Sequence, residues 1–250
     1  MDMGEHGGKS QDQNGCSDPC ILVDEETGEI FVAACWTHGK PGTHQWRGNG
    51  SEPGFDIDKS TQFMVVRSTD HGATWSKPEN WTKKLKDPSW HLFAPAPGNG
   101  ITMKDGTLVM PTQGRDAKGL PFSNITWSKD HGKTWHVSNH ARDNTTECAV
   151  AELSDGSLLL NMRDNRNRAD KSGTNGRAIA HTKDLGKSWV SHSTDHSALP
   201  EPVCMASLIA DPYRKGTVYF SNPNNKRSRS HMTLRRSTDD GKTWSSQILL

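Results

Sequence analysis

Short apolar runs alternate with polar turn residues along the chain, and the runs come in pairs. Ile21-Leu22-Val23 and Ile30-Phe31-Val32 flank a turn containing Thr27-Gly28. Ile101-Thr102-Met103 and Leu108-Val109-Met110 flank Asp105-Gly106, while Val150–Leu153 and Leu158–Leu160 flank Asp155-Gly156. Ser207-Leu208-Ile209 and Val218-Tyr219-Phe220 flank a longer turn. Asp-Gly between apolar runs is a hairpin signal, so each pair predicts an antiparallel hairpin.

A second apolar run follows each pair and leads into a repeated motif. Phe63–Val66, Ile125–Trp127, Ala178–Ala180 and Met232–Leu234 precede four copies of [ST]-x-D-x-G-x-[ST]-W. Their aspartates are Asp70, Asp130, Asp184 and Asp239, and their starts at 68, 128, 182 and 237 are separated by 60, 54 and 55 residues. The motif reads as a hairpin turn. The aspartate accepts from its own turn's backbone N–H groups, the glycine supplies a positive φ, and the tryptophan packs back on the sheet as an apolar anchor. These four aspartates are therefore expected to be structural. Two hairpins per repeat make a four-stranded sheet, and such sheets repeated every 40–60 residues predict an all-β propeller with about four blades here. Residues 1–15 read as a polar stub and 16–250 as part of one propeller domain, an internal piece of a longer sequence.

Composition narrows the partners. A formal net charge of +1 gives no global pull toward nucleic acid or membrane surfaces. The local cluster of Lys226, Arg227, Arg229, Arg235 and Arg236 reads first as a solvated loop. No apolar stretch is long enough to span a bilayer, and the first fifteen residues are too polar for a signal peptide. The five cysteines fit no metal pattern and read as buried thiols, and the histidines, His38, His44 and His91 among them, show no ligand spacing. No metal and no cofactor is implied.

The segments between the motifs resemble the exo-α-sialidases (neuraminidases), whose propellers carry this repeat as the Asp box. Asp18-Pro19-Cys20 with Val23-Asp24-x-x-Thr27-Gly28 is similar to the start of their second blade. Thr146-Glu147-Cys148, running through Glu152-Leu153 into Leu160-Asn161-Met162-Arg163, resembles their central catalytic segment. Pro95–Gly98 followed by Leu108–Pro111 looks like the stretch before their next Asp box, in the same order.

The resemblance implies a six-bladed propeller in the whole protein and hydrolysis of terminal sialic acid from glycoproteins, glycolipids and oligosaccharides. It implies retention of configuration through a tyrosine nucleophile, an exception to the two-carboxylate scheme. Glu147 matches the glutamate that serves as that tyrosine's base. Arg163 matches the second of three arginines that grip the sugar carboxylate, because guanidinium matches carboxylate geometry and stays charged. Arg229 matches the third, with Arg227 as the fallback. Asp18 matches a polar residue near the N-acyl group, and Glu152 reads as a supporting residue.

Three family parts have no match. These are the first arginine in its Arg-Ile-Pro segment, the acid/base aspartate, and the tyrosine after the last box. Asp56 and Asp58 fit the second blade better than the acid's position, Tyr213 and Tyr219 belong to the fourth opening hairpin, and the Gly39–Gly54 loop reads as a substrate-side or rim loop. The 250 residues alone are thus expected to be inactive, and the intact protein to be secreted or periplasmic. Two alternatives stay open. One is a non-catalytic Asp-box propeller that binds carbohydrate or protein. The other is a different glycosidase using paired carboxylates.

Overall fold

The computed structural model describes residues 14–38, 51–173, 175–244 and 246–249. Most of the polar stub, most of the expected rim loop and His44 lie outside the described residues. The chain forms consecutive curled sheets of a β-propeller. In the first sheet β1 (Asn14–Val23), β2 (Ile30–His38), β3 (Gln62–Ser68) and β4 (Glu79–Asn80) form an antiparallel meander. After helix α1 (Thr82–Leu85) come β5 (Leu92–Pro95), β6 (Gly98–Asn99) and β7 (Ile101–Thr102). The second sheet continues with β8 (Leu108–Arg115), β9 (Pro121–Ser128) and β10 (His136–Val137), with β11 (Arg142–Asp143) also pairing β9.

The third sheet is β12 (Thr145–Glu152), β13 (Leu158–Asp164), β14 (Ala178–Thr182) and β15 (Val190–Ser191). The fourth is β16 (Ser207–Ala210), β17 (Val218–Pro223), β18 (Met232–Ser237) and β19 (Ser246–Leu249).

The third and fourth sheets have the expected four strands, but the second departs from that plan. Its first strand is broken, so that β5 and β7 each pair with part of β8. The break falls at Pro95-Ala96-Pro97-Gly98, where the prolines lack donors and Gly98 adopts φ 127°. The released piece, β6, runs parallel to β1 through Cys20↔Gly98 and Ile21↔Asn99, stitching the first two sheets together.

The core lies between sheets. Leu22, Phe31, Phe63 and Val65 of the first sheet pack with Phe93, Leu108, Met110 and Phe122 of the second. Val109 and Ile125 meet Val150, Leu158, Leu160 and Met162 across the next gap. Leu159 and Ile179 meet Leu208, Val218 and Phe220 across the third. Successive side chains of a strand point to opposite faces, and both faces of β13 are covered. Leu158-Leu159-Leu160 is for that reason an unbroken apolar run rather than an alternating one.

Each Asp box closes a turn after the third strand of its sheet. Asp70 Oδ1 accepts from Ser68 Oγ and Thr74 N, both at 2.8 Å, while Oδ2 accepts from Thr74 Oγ1 at 2.5 Å. Ser68 Oγ in turn accepts from Gly72 N at 2.9 Å. The same bonds recur around Asp130, Asp184 and Asp239. Two consecutive residues take positive φ in each turn, as in His131 (57°) and Gly132 (75°). Gly132 also has no room for a side chain, because a Cβ there would sit 2.5 Å from the Phe31 ring.

The tryptophans divide. Trp135, Trp189 and Trp244 pack against the inter-sheet clusters, but Trp75 is 44% exposed and joins none of them. The first box thus lacks the expected anchor, since its turn is not packed against a preceding sheet among the described residues.

The hydroxyl of Thr74 or Ser188, joined by the same residue's backbone N–H, lowers Asp70 and Asp184 to about 2. The equivalent bonds from Thr134 push Asp130 lower still. An unfolded aspartate titrates near pH 3.9. As pH falls, the unfolded chain takes up protons before the folded one, so this stabilisation is present above about pH 4 and lost toward pH 2. Thermal melts followed by circular dichroism are expected to show Tm falling across that window. The Asp184→Asn variant should fall less steeply there, and an identical slope would remove the boxes from the acid limb.

Candidate functional site

Glu147 and Arg163 lie on neighbouring strands of the third sheet. The β12–β13 register slips between Thr145 and Cys148, a bulge that holds Glu147 out of the regular ladder. Arg163 Nη1 reaches Glu147 Oε2 at 2.5 Å, with both side chains largely buried. Arg163 Nε is buried and has no hydrogen-bond partner among the described residues. A buried guanidinium N–H without a partner is costly, and an oxyanion placed beside it would satisfy it.

Asp18 occupies a matching irregularity. The β1–β2 register slips between Ser17 and Cys20, and Asp18 itself sits at φ 51°, which asparagine and aspartate tolerate best. Gln113 Nε2 of β8 donates to its Oδ2 at 3.0 Å. Burial raises the Asp18 carboxyl to about 6, with the Glu147 charge adding to the rise, while the Gln113 bond and the Arg163 charge oppose it. Asp18, Glu147 and Arg163 thus share one electrostatic neighbourhood although they come from two sheets.

Arg229 stands apart. It follows β17, is exposed, and donates from Nη2 to the Val203 carbonyl at 3.2 Å. Of the basic cluster read as a solvated loop, Arg235 breaks the pattern. It is 3% exposed, because its β18 position faces inward and Nη1 bonds Asn222 Oδ1 at 3.0 Å.

The Asp boxes occupy the other end of the strands. His131, inside the second box, bonds Asp24 in the β1–β2 turn at 2.8 Å. Asp240, inside the fourth, accepts from Ser154 N and Oγ in the β12–β13 turn. The strand from Asp18 to Asp24 separates the ends by about 20 Å. His131 is accordingly an inter-sheet tie rather than a free surface residue, and His192 is buried as well.

Glu152 accepts from Lys104 N at 2.9 Å, again between sheets. Asp56 holds its own turn through Asp58 N, and His91 Nδ1 meets the Ser51 carbonyl. Tyr213 is 94% exposed, and Tyr219 bonds Asp211 near the β16–β17 turn, so neither lies near Glu147. Among the cysteines, all free, Cys16 is exposed and Cys204 half-buried, contrary to a uniformly buried set.

Three residues beside the site went unread in the sequence: Gln113, Arg177 and Glu201. Arg177 and Glu201 form a fully buried ion pair at 3.5 Å. A usable signal was Arg177 directly before the apolar run Ala178-Ile179-Ala180.

Among the described residues, no group of three or more His, Cys, Asp or Glu is placed to hold a metal ion, and no helix is long and apolar enough to cross a membrane. A cleft of about 490 Å³ runs along the first strands near the turn end, lined by Val23, Met103, Leu153 and Ile209. It does not include Asp18, Glu147 or Arg163.

Residues 4–250 match the family model of the BNR repeat-like domain. The chain is 48% identical over 99% of its length to a sialidase of Bacteroides fragilis, of which it covers 45%. It is 35% identical over 92% of its length to a sialidase of Micromonospora viridifaciens, covering 36% of that protein. The solved structure of a Hadza microbial sialidase superposes with a TM-score of 0.91 at 46% identity, over 100% of this chain and 48% of the other. The chain therefore spans less than half the length of each of these three relatives.

Proposed function

Because the chain belongs to the sialidase family of BNR-repeat proteins, we propose that it carries part of the active centre of an exo-α-sialidase, a glycoside hydrolase that releases terminal sialic acid from glycoconjugates. The observation that carries this reading is the Glu147–Arg163 pair, with an unpartnered guanidinium N–H and Asp18 beside it. Arg163 grips the sugar carboxylate, and Arg229 does so from the loop between β17 and β18. Asp18, bonded to Gln113, faces the N-acyl side.

In this reading the nucleophile is a tyrosine. A neutral phenol avoids the repulsion that an anionic nucleophile would meet from the substrate carboxylate. Glu147 takes the phenolic proton as the oxygen attacks the anomeric carbon, and the leaving group receives its proton from a separate acid. Water then cleaves the glycosyl–tyrosine bond with retention. Tyr213 and Tyr219 do not fit the role, so the nucleophile comes from the remainder of a longer protein. The Asp-box aspartates stay structural, because their carboxylate oxygens are occupied by their own turns. Sialylated glycoproteins, glycolipids and oligosaccharides are the proposed substrates.

The test uses the full reading frame around this chain, offered a fluorogenic α-sialoside and the same compound with its carboxylate reduced to an alcohol. The native sialoside is expected to be cleaved, and the alcohol about a hundredfold more slowly or worse, because the buried guanidinium then lacks its partner. Equal rates would point to a glycosidase with paired carboxylates. Retention on sialylated glycans without cleavage would make the protein a binding propeller.

A further inference from the structure

The polar groups next to Arg163 form one connected, buried set. Arg177 Nε donates to Asn161 Oδ1 at 2.6 Å and Nη2 to the Asn161 carbonyl at 3.3 Å. Its Nη1 donates to the Cys204 carbonyl at 2.6 Å. Glu201 Oε1 accepts from Asp164 N at 3.1 Å and from Asn167 Nδ2 at 2.7 Å, while Oε2 accepts from Cys204 N at 3.0 Å. The pair thus holds β13 on both sides of Arg163, at Asn161 and at Asp164. With its other edges it holds both backbone groups of Cys204.

Between Glu201 and Cys204 the chain is strained. Val203 adopts φ 60°, a region that a β-branched residue rarely enters. Such backbone persists only where its surroundings over-determine it. The Val203 carbonyl is the group that Arg229 contacts.

We infer that Arg177 and Glu201 are positioning residues. They clamp the 201–204 segment in its left-handed shape and so fix where Arg229 stands relative to Arg163. A fully buried ion pair is a weak source of net stability, which fits a role in geometry better than one in adhesion. The consequence for sugar binding rests on the carboxylate-gripping role proposed above, whereas the clamp itself does not.

Two readouts on the full-length protein separate the two. The first is the labelling rate of the half-buried Cys204 by a thiol reagent in a Cys16→Ser background. The second is calorimetric affinity for free N-acetylneuraminic acid. Glu201→Gln is expected to speed Cys204 labelling several-fold and to weaken the sugar acid about tenfold, by loosening one charge-assisted contact. Adding Val203→Gly should recover much of that affinity, since glycine takes a positive φ without being forced. Neutralising a buried carboxylate for stability reasons alone would not be rescued by relaxing Val203.

Unchanged labelling overturns the clamp whether or not the protein is a sialidase. Faster labelling with unchanged affinity overturns the positioning of Arg229. A parent protein that neither binds nor cleaves sialosides defeats the sialidase reading, while labelling still decides the clamp. If Glu201→Gln does not fold, Arg177→Lys, which keeps the charge and loses the fork, is judged on the same two readouts.

Discussion

Glu147→Ala in the full-length protein is expected to lower kcat for an α-sialoside by about 10²- to 10⁴-fold, the range typical of losing a positioned general base. Among the described residues its ion-pair partner is Arg163, so alanine removes the proton acceptor and also frees the guanidinium that Glu147 orients. Glu147→Gln separates these effects, because an amide oxygen can still accept from Arg163 Nη1 but cannot take a proton. If glutamine is as damaging as alanine, proton transfer is the role. If it keeps activity within tenfold of the parent, Glu147 serves only to orient Arg163.

Arg163→Ala should act mainly on KM, since it removes a contact made in both ground and transition states. Truncating a buried, hydrogen-bonded charge costs about 2–5 kcal/mol, so kcat/KM should fall about 30-fold or more. The double variant should lose less than the product of the singles, because each loss already disables the pair. Full multiplicativity would mean that the 2.5 Å contact carries no coupling.

Phe31→Ala is expected to be the most damaging substitution outside the site. The side chain is fully buried between the first and second sheets. Its ring meets Trp135 edge-on at 5.8 Å and Trp81 at 6.4 Å, and the Arg67 guanidinium lies 5.3 Å from its centroid. The second Asp box rests on it at Gly132, where even a Cβ does not fit. Two hydrogen-bonded sheets cannot close readily over the void, so the loss should approach about 3–5 kcal/mol. For a chain of this size that lowers Tm by roughly 6–20 °C, measurable by calorimetry or circular dichroism. A shift under about 3 °C would show that the gap repacks and that the box does not depend on Phe31.

How far the fold was legible follows the range of the forces involved. The hairpins and boxes are local. Asp70 bonds Ser68 and Thr74, and the positive φ angles fall on His71 and Gly72, all within a few residues. The paired runs around Asp105-Gly106 and Asp155-Gly156 fold where hairpin chemistry places them. The broken first strand of the second sheet was less legible. Its prolines were visible, but the parallel pairing of Gly98 with Cys20 spans two sheets. Arg235 misled for a similar reason, since a basic run looks solvated until β18 turns one of its members inward.

The candidate site divides along the same line. Glu147 and Arg163 were legible through the resemblance of their segment to the sialidase catalytic stretch, and one hairpin, β12–β13, carries both, its antiparallel register bringing the two ends together. Asp18 is set beside them by the curl that stacks the first sheet on the second, and its bond to Gln113 joins residues far apart in the chain. Arg177 and Glu201 meet only because the loop after β15 folds back under β13.

The sequence by itself determined the repeat, the turns, the strand pairs and the residue types offered at the strand ends, because hydrogen bonds within a turn and apolar runs within a strand need no distant partner. Only the tertiary structure decided which of those ends share one charge neighbourhood and which buried charges hold them there. Contacts such as Asp24–His131, Asp18–Gln113 and Arg177–Glu201 depend on how each sheet curls against the next, a sum of side-chain packing across every gap that no local segment encodes.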